Sequence, residues 1–333
     1  MRRGLWRVGL ALGALAATGA QAMSFGHCES ARVFSAAEQD RLLRVSARIK
    51  AALEGSGQRV ALVARSGIDL SRFAQRYSHA GVSLRASRAT PWAVRQLYFD
   101  CERRQARLFD QGLAAFVLGT DDPDLGFLSV LLLPAGAADE VERAALDDEL
   151  ALQLLGASYS ANAYPFDTRH QNCNQWLVEL LGVAWGGLAR GDDLRGRAQG
   201  WLQGAGYQPA RIELRPPLWT GLAAFVPWLH TDDHPPADLQ QQRVHVSLPA
   251  SIEGFVQARW PQATRLEFCH TRQWLVMRRN GAPIAAACEA GPGDEVVRLD
   301  DELTGPQGEG EAGRVRLAHR DARSPAVGQA EPP

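Results

Sequence analysis

Lysine is almost missing from this chain of 333 residues: Lys50 is the only one among 36 basic residues. The 36 basic residues are balanced by 37 acidic ones, for a formal charge of −1. No cationic field is available to hold a phosphate backbone, so nucleic acid is not an expected partner. The arginine bias, together with abundant Ala and Gly, reads as the coding composition of a GC-rich bacterial genome. Also missing are a CxxC pair, a strand-to-helix phosphate-binding glycine motif, a G-x-S-x-G elbow around any serine and an HExxH helix. These absences remove dithiol redox chemistry, nucleotide binding, a serine hydrolase built on "SGIDLSRF" (66–73) and the common zinc-protease arrangement. No cofactor is called for.

What is present begins at the N-terminus. Arg2, Arg3 and Arg7 precede an apolar run from Val8 to Ala17, followed by Ala20-Gln21-Ala22. That order is the pattern of a secretory signal peptide over residues 1–22, cleaved after Ala22. The apolar run is too short for a membrane anchor, so no integral segment is expected after cleavage. Loss of the three arginines takes the charge from −1 to about −4. Export to the periplasm is the expected destination, and it changes how the five cysteines are read. An odd number leaves one unpaired. Cys269 and Cys288 flank a hairpin turn at Asn280-Gly281, which favours 269–288 and 28–101 as pairs and Cys173 as the free thiol.

With 46% hydrophobic residues the chain can build one large core or two smaller ones. Ser35 and Glu38 form a capping-box signature ahead of a helix reaching Leu53, stopped by Gly55. Leu42, Val45, Ile49 and Leu53 repeat at helical spacing. Strands are expected over "RVALVAR" (59–65), Tyr77–Leu84, Trp92–Tyr98 and Phe127–Leu133. A helix is expected from Asp139 to Leu155, then an irregular Tyr- and Asn-rich segment. Another helix runs from Cys173 to Leu181, with Trp176, Leu177, Leu180 and Leu181 on its apolar face. Past Gly191 the texture changes: Pro, Trp and Gln dominate to about 250, followed by a short helix and antiparallel strands. The segment from 305 onward has almost no apolar content, which marks a disordered tail.

Two short stretches carry chemistry. In "QNCNQW" (171–176) Asn172 is a good N-cap, which puts the Cys173 sulfur in the first turn of a helix. Unpaired N–H groups and the positive dipole end there favour a thiolate and can hold an oxyanion. Asn174 and Gln175 read as solvent- or cleft-facing. In "YSHAGV" (77–82) strand alternation puts Tyr77, His79, Gly81 and Ser83 on one face. Gly81 leaves room for something to approach closely. On the next strand Val94, Gln96 and Tyr98 share a face, so pairing brings Gln96 to His79 as an orienting partner. Nucleophile, base and orienter then make a general triad of Cys173, His79 and Gln96. Tyr77 or Tyr164 is a candidate additional oxyanion donor. His170, three residues before Cys173, is a second candidate base on a less fixed loop. His230, Asp232, Asp233 and His234 in "HTDDH" are metal-ligand types without a standard spacing, and read more readily as a solvated turn.

"SHAGV" followed at long range by "NCNQW" resembles the circularly permuted branch of the NlpC-type papain-like superfamily, which includes lecithin retinol acyltransferase and YiiX-like bacterial hydrolases. That pattern places a His on a first strand in an H-x-G-[IV] context, a polar residue on the next strand and a Cys opening a later helix. His79, Gly81, Val82, Gln96, Asn172 and Cys173 fill those positions. Gln96 departs from the His or acid often found there, and stabilises an imidazolium less well. The likeness covers about residues 59–190. The whole chain also resembles an uncharacterised family of exported bacterial proteins with a domain of unknown function.

The resemblance implies an α+β fold: a permuted papain-like antiparallel sheet packed on a Cys-bearing helix over 23–190, with a C-terminal α/β extension over 191–304. It implies an exported thiol hydrolase or acyltransferase acting on an amide or (thio)ester of a cell-envelope peptide, lipid or acylated substrate. The alternatives are an inactive envelope-binding protein on the same fold, or a metal-dependent hydrolase using His230, Asp232, Asp233 and His234.

Overall fold

The computed structural model describes residues 33–100, 103, 105–214 and 228–299. The expected leader, the expected Cys28–Cys101 pair and the tail from 305 lie outside the described residues. The chain folds as a mixed α+β protein around one large antiparallel sheet.

Helix α1 (Ala36–Gly55) starts as its sequence predicts. The Glu38 N–H donates to Ser35 Oγ, and the Ser35 N–H donates back to Glu38 Oε2 at 2.7 Å. Leu42, Val45, Ile49 and Leu53 are its buried stripe. The left-handed turn that follows is taken by Gly57, at φ 72°, not by Gly55.

Eight strands form the sheet: β1 (Val60–Arg65), β2 (His79–Leu84), β3 (Ala93–Asp100), β4 (Gln105–Gln111), β5 (Gly126–Leu132), β8 (Thr264–His270), β9 (Trp274–Arg279) and β10 (Glu295–Arg298), with two more, β6 (Ala210–Glu213) and β7 (Arg243–Val246), pairing separately. Spatial order is β10-β9-β8-β5-β1-β2-β3-β4, antiparallel at every step. The sheet therefore runs through both sides of the boundary expected at 190/191. The reason is visible in β5, which is buried along its whole length and needs a ladder on both edges. β1 supplies one edge and β8, from the C-terminal part, supplies the other.

Alternation along β1 feeds two cores. Val60, Leu62 and Ala64 join one with α3 (Ala135–Leu146), α5 (Cys173–Gly186), α6 (Leu194–Gly204) and α7 (Pro249–Arg259). Ala61 and Val63 join the other with α1 and α2 (Leu113–Leu118). Helices thus cover both faces. α5 is buried almost all round, with Trp176, Leu177, Leu180 and Leu181 fully enclosed against β2, β3 and α3. Each such side chain contributes about 1.5–3 kcal/mol, which fixes the helix bearing Cys173 to the sheet.

Three local expectations are corrected. The single helix expected over 139–155 is two, α3 and α4 (Asp148–Gln153), because Asp147 turns to extended backbone and caps the Leu150 N–H at 3.1 Å. β4 forms a hairpin with β3 that the sequence did not signal. The strand around His79 begins at His79 itself, so Tyr77 does not share its face. The Cys269–Cys288 disulfide is present, at a sequence separation of 19, and Cys173 is a free thiol. No helix among the described residues is long and apolar enough to cross a membrane.

Candidate active site

Asn172 caps α5, its Oδ1 accepting the Gln175 N–H at 2.7 Å. The Cys173 and Asn174 N–H groups of that first turn point at the Cys173 sulfur. The Tyr159 hydroxyl donates to the same sulfur, and the Arg65 charge acts on it. Burial outweighs these helpers and pushes the thiol up to about 11. That differs from the lowered value the helix terminus suggests. The dipole end is worth a fraction of a pKa unit to about one and a half units, whereas the desolvation of a buried anion is worth more.

Asn174 is not solvent-facing. It is buried, and its Nδ2 donates to the Ser78 carbonyl at 3.1 Å, which ties the first turn of α5 to the residue preceding His79. Gln175 is buried too. With Gln171 it serves a carboxylate inside the fold: Glu179 accepts from Gln171 at 2.6 Å, Gln175 at 3.1 Å and Gln199 at 2.7 Å, and from Nε and Nη2 of the Arg195 guanidinium. Each of the amides around Cys173 thus has a structural partner, although Asn174 Oδ1 and Gln175 Oε1 are buried without one. Asn172 caps, Asn174 docks, and the two glutamines satisfy a buried ion pair.

His79 opens β2 opposite Arg65 of β1. Its Nε2 and Gln96 Oε1 are 2.5 Å apart. Gln96 Nε2 in turn donates to Gln111 Oε1 at 2.6 Å, so the amide is oriented from behind by β4. An amide oxygen only accepts. Gln96 thus selects the tautomer with the proton on Nε2 and the lone pair on Nδ1, the arrangement a general base needs. Both residues are buried, as the paired-strand reading requires. The Tyr98 ring stands edge-on to His79 at 5.4 Å and Phe116 lies at 6.0 Å, walls that hold the imidazole.

Arg65, Tyr98 and Tyr159 are the members sequence reasoning missed. The Arg65 guanidinium is buried over Phe116, with Cζ 5.6 Å from the ring centroid, and donates to the Tyr98 hydroxyl. Burial lowers its pKa from the ordinary guanidinium value, against the pull of Tyr98, Asp121 and Cys173. It fits only because Gly67 and Gly119 lack side chains: a Cβ at either would lie 2.7 or 2.6 Å from a guanidinium nitrogen. A strand-ending arginine whose room is made by Gly67, two residues on, and by Gly119, far along the chain, carries little local signal. Gly81 is a correction of another kind. The space beside it is taken by β3, since a Cβ there would meet Val94 Cγ1 at 2.6 Å and the Arg95 carbonyl at 2.9 Å.

Tyr77 does not face Cys173. It donates to Glu267 Oε1 at 2.6 Å within a buried group that includes Arg265, and burial raises its pKa. Tyr164 gives its backbone N–H to Asp233, and its ring stands edge-on to Phe166 and tilted against His234. His170 is bonded to Ser158 and Asp232. The HTDDH segment splits. Asp233 and His234 turn inward against the backbone of Tyr164 and Asn162, while His230 and Asp232 turn toward His170. The four residues expected as one ligand set are not gathered as one.

One bacterial family, described as uncharacterized protein conserved in bacteria (DUF2145), matches residues 52–256. The chain belongs to that family. No curated protein and no solved structure matches it. The matched span begins inside α1 and ends inside α7. It therefore contains Cys173, His79, Gln96, Arg65 and Tyr159, and leaves β8, β9 and β10 outside.

Proposed function

We propose that this protein is an exported cysteine hydrolase or acyltransferase of the permuted papain-like kind. It acts on an amide or (thio)ester carbonyl of a cell-envelope peptide, lipid or acylated protein. The observation that carries the reading is the His79 imidazole, held by Gln96 in the tautomer that keeps the proton on Nε2, at the sheet end to which Asn174 docks the first turn of α5. In the resting protein Cys173 is a thiol. His79 Nδ1 takes the thiol proton as the sulfur bonds to the carbonyl carbon, and the carbonyl electrons move to oxygen. The N–H groups of Cys173 and Asn174 and the Arg65 charge are the donors available to that oxyanion. Collapse expels the amine, alcohol or thiol, which takes the proton from His79. Water or another acceptor then releases the acyl group from sulfur.

One observation favours the rival reading of a non-catalytic envelope-binding protein: burial holds the thiol well above neutral pH. A single experiment separates the two. Full-length mature protein is incubated with short-chain acyl thioesters and p-nitrophenyl esters, and followed by intact mass and peptide mapping. An acyl adduct on Cys173, absent in Cys173→Ser and strongly reduced in His79→Ala, is expected. A wild-type protein that never acylates across the panel, while folded by circular dichroism, overturns the enzyme reading.

A further inference from the structure

A second cluster joins the loop leading into α5 to the segment after Trp228. His170, His230 and Asp232 each offer one ligand atom, and all three atoms lie within 4.8 Å of one another. His170 comes from the loop that leads into α5, and the other two come from the segment after Trp228. The parts are far apart in sequence and brought together by the fold.

The backbone beneath the cluster is firmly held. The His230 N–H donates to Ser160 Oγ at 3.0 Å and Asn162 Oδ1 at 3.2 Å, while Asn162 Nδ2 donates to the His230 carbonyl at 2.6 Å. Next to Asp232, buried Asp233 accepts the Tyr164 N–H at 2.7 Å. The Ala161 N–H reaches the Trp228 carbonyl at 2.8 Å. The His230 backbone is thus fixed at both its N–H and its carbonyl by groups that do not themselves ligate.

The donor set has the character of a metal site. His170 Nδ1 is engaged by Ser158 Oγ at 2.9 Å, the outer hydrogen bond that fixes a ligating imidazole and leaves Nε2 for the metal. His170 Nε2 faces Asp232 Oδ1 at 3.0 Å. Nitrogen and oxygen ligands about 2.0–2.2 Å from a tetrahedral zinc stand roughly 3.3–3.4 Å apart, so a few tenths of an ångström of opening admits the ion. The His170 and His230 rings lie parallel with centroids 4.2 Å apart, and because an imidazole lone pair lies in its ring plane, one ring turns out of the stack for both to reach a shared ion. Asp232 is exposed, which leaves an entry path and open coordination positions. Its second oxygen lies 3.7 Å from Arg169, which assigns Oδ1 as the ligating atom.

We propose that His170, His230 and Asp232 bind one divalent transition-metal ion of the zinc class, clamping the 158–172 loop to the 228–234 segment. Two imidazoles and one carboxylate select zinc-like ions over magnesium or calcium, which prefer oxygen. The proposal stands independently of the thiol chemistry, and differs from the His230–His234 ligand set because Asp233 and His234 are spent on the scaffold.

The test uses untagged full-length protein stripped with chelator and titrated with Zn²⁺ by calorimetry, with Co²⁺ as a spectroscopic probe. Saturation at one ion per chain is expected, with affinity lowered at least about tenfold in His230→Ala and in Asp232→Asn. Cys173→Ser is expected to leave affinity unchanged, and cobalt is expected to show no thiolate charge-transfer absorption. Both variants alter accessible side chains, and circular dichroism confirms their fold. Absence of saturable binding, or binding that both variants retain at full affinity, overturns the proposal. So does Mg²⁺ binding as tightly as Zn²⁺.

Discussion

Replacing His79 with alanine isolates what the imidazole does for the thiol. Cys173 on its own is held at about 11, so at pH 7 only about one molecule in ten thousand carries a thiolate. A free cysteine near 8.5 carries about 3%. The more basic thiolate is the better nucleophile, and with a Brønsted slope of about 0.4–0.5 it recovers roughly tenfold of that deficit. An unaided Cys173 therefore alkylates some twenty- to thirtyfold more slowly than a free thiol at neutral pH. A correctly placed base is worth about 10²–10⁴. The assay is the rate of carbamidomethylation of Cys173 by iodoacetamide, read by peptide mass so that Cys28 and Cys101 do not contribute. It is run from about pH 5 to about pH 9, the range in which an imidazole titrates. Wild-type protein is expected to react faster than a free thiol, with an inflection in the imidazole range. His79→Ala is expected to fall below the free-thiol rate and to climb about tenfold per pH unit toward 11. Superimposed wild-type and His79→Ala profiles would refute the dyad.

Other expectations follow from the same contacts. Gln96→Leu removes the acceptor that fixes the His79 tautomer, so Cys173 reactivity should fall at least tenfold while the alkylation of denatured protein is unchanged. Glu179→Ala leaves the Arg195 guanidinium buried without its carboxylate, and chemical denaturation should show a loss of about 3–5 kcal/mol. His270 is buried, and desolvation lowers it to about 4. Between the unfolded value near 6.5 and about 4 the unfolded chain binds a proton that the folded chain refuses, so stability drops as pH falls through that window. The drop is about 3 kcal/mol, and it should disappear from urea midpoints measured in His270→Gln. Breaking Cys269–Cys288 releases a loop closed at a sequence separation of 19 and should cost roughly 3 kcal/mol on the chain-entropy account, read by denaturation of Cys269→Ala/Cys288→Ala.

What the sequence determined by itself was local. The Ser35–Glu38 box, the stripe of α1 and the Asn172 cap are set by residues within a few turns of each other, so their signals survive in a linear reading; the 269–288 disulfide formed as expected, but β8 and β9 turn at residues 271–273 and not at Asn280-Gly281. Period-two alternation was enough to put Gln96 on the same face as His79, because a strand's side-chain direction depends only on parity. The surroundings of Cys173 were decided elsewhere. Arg65, Tyr98 and Tyr159 reach the sulfur or its neighbours from separate elements, and two glycines make room for the guanidinium. Gln171 and Gln175 looked like surface amides because nothing nearby in sequence reveals Arg195 and Glu179 behind them. Desolvation depends on everything packed around an atom, which only the folded chain specifies, so the dipole argument alone had the wrong sign for the Cys173 thiol. The same holds for the sheet: the edge of β5 is completed by β8, more than a hundred residues away.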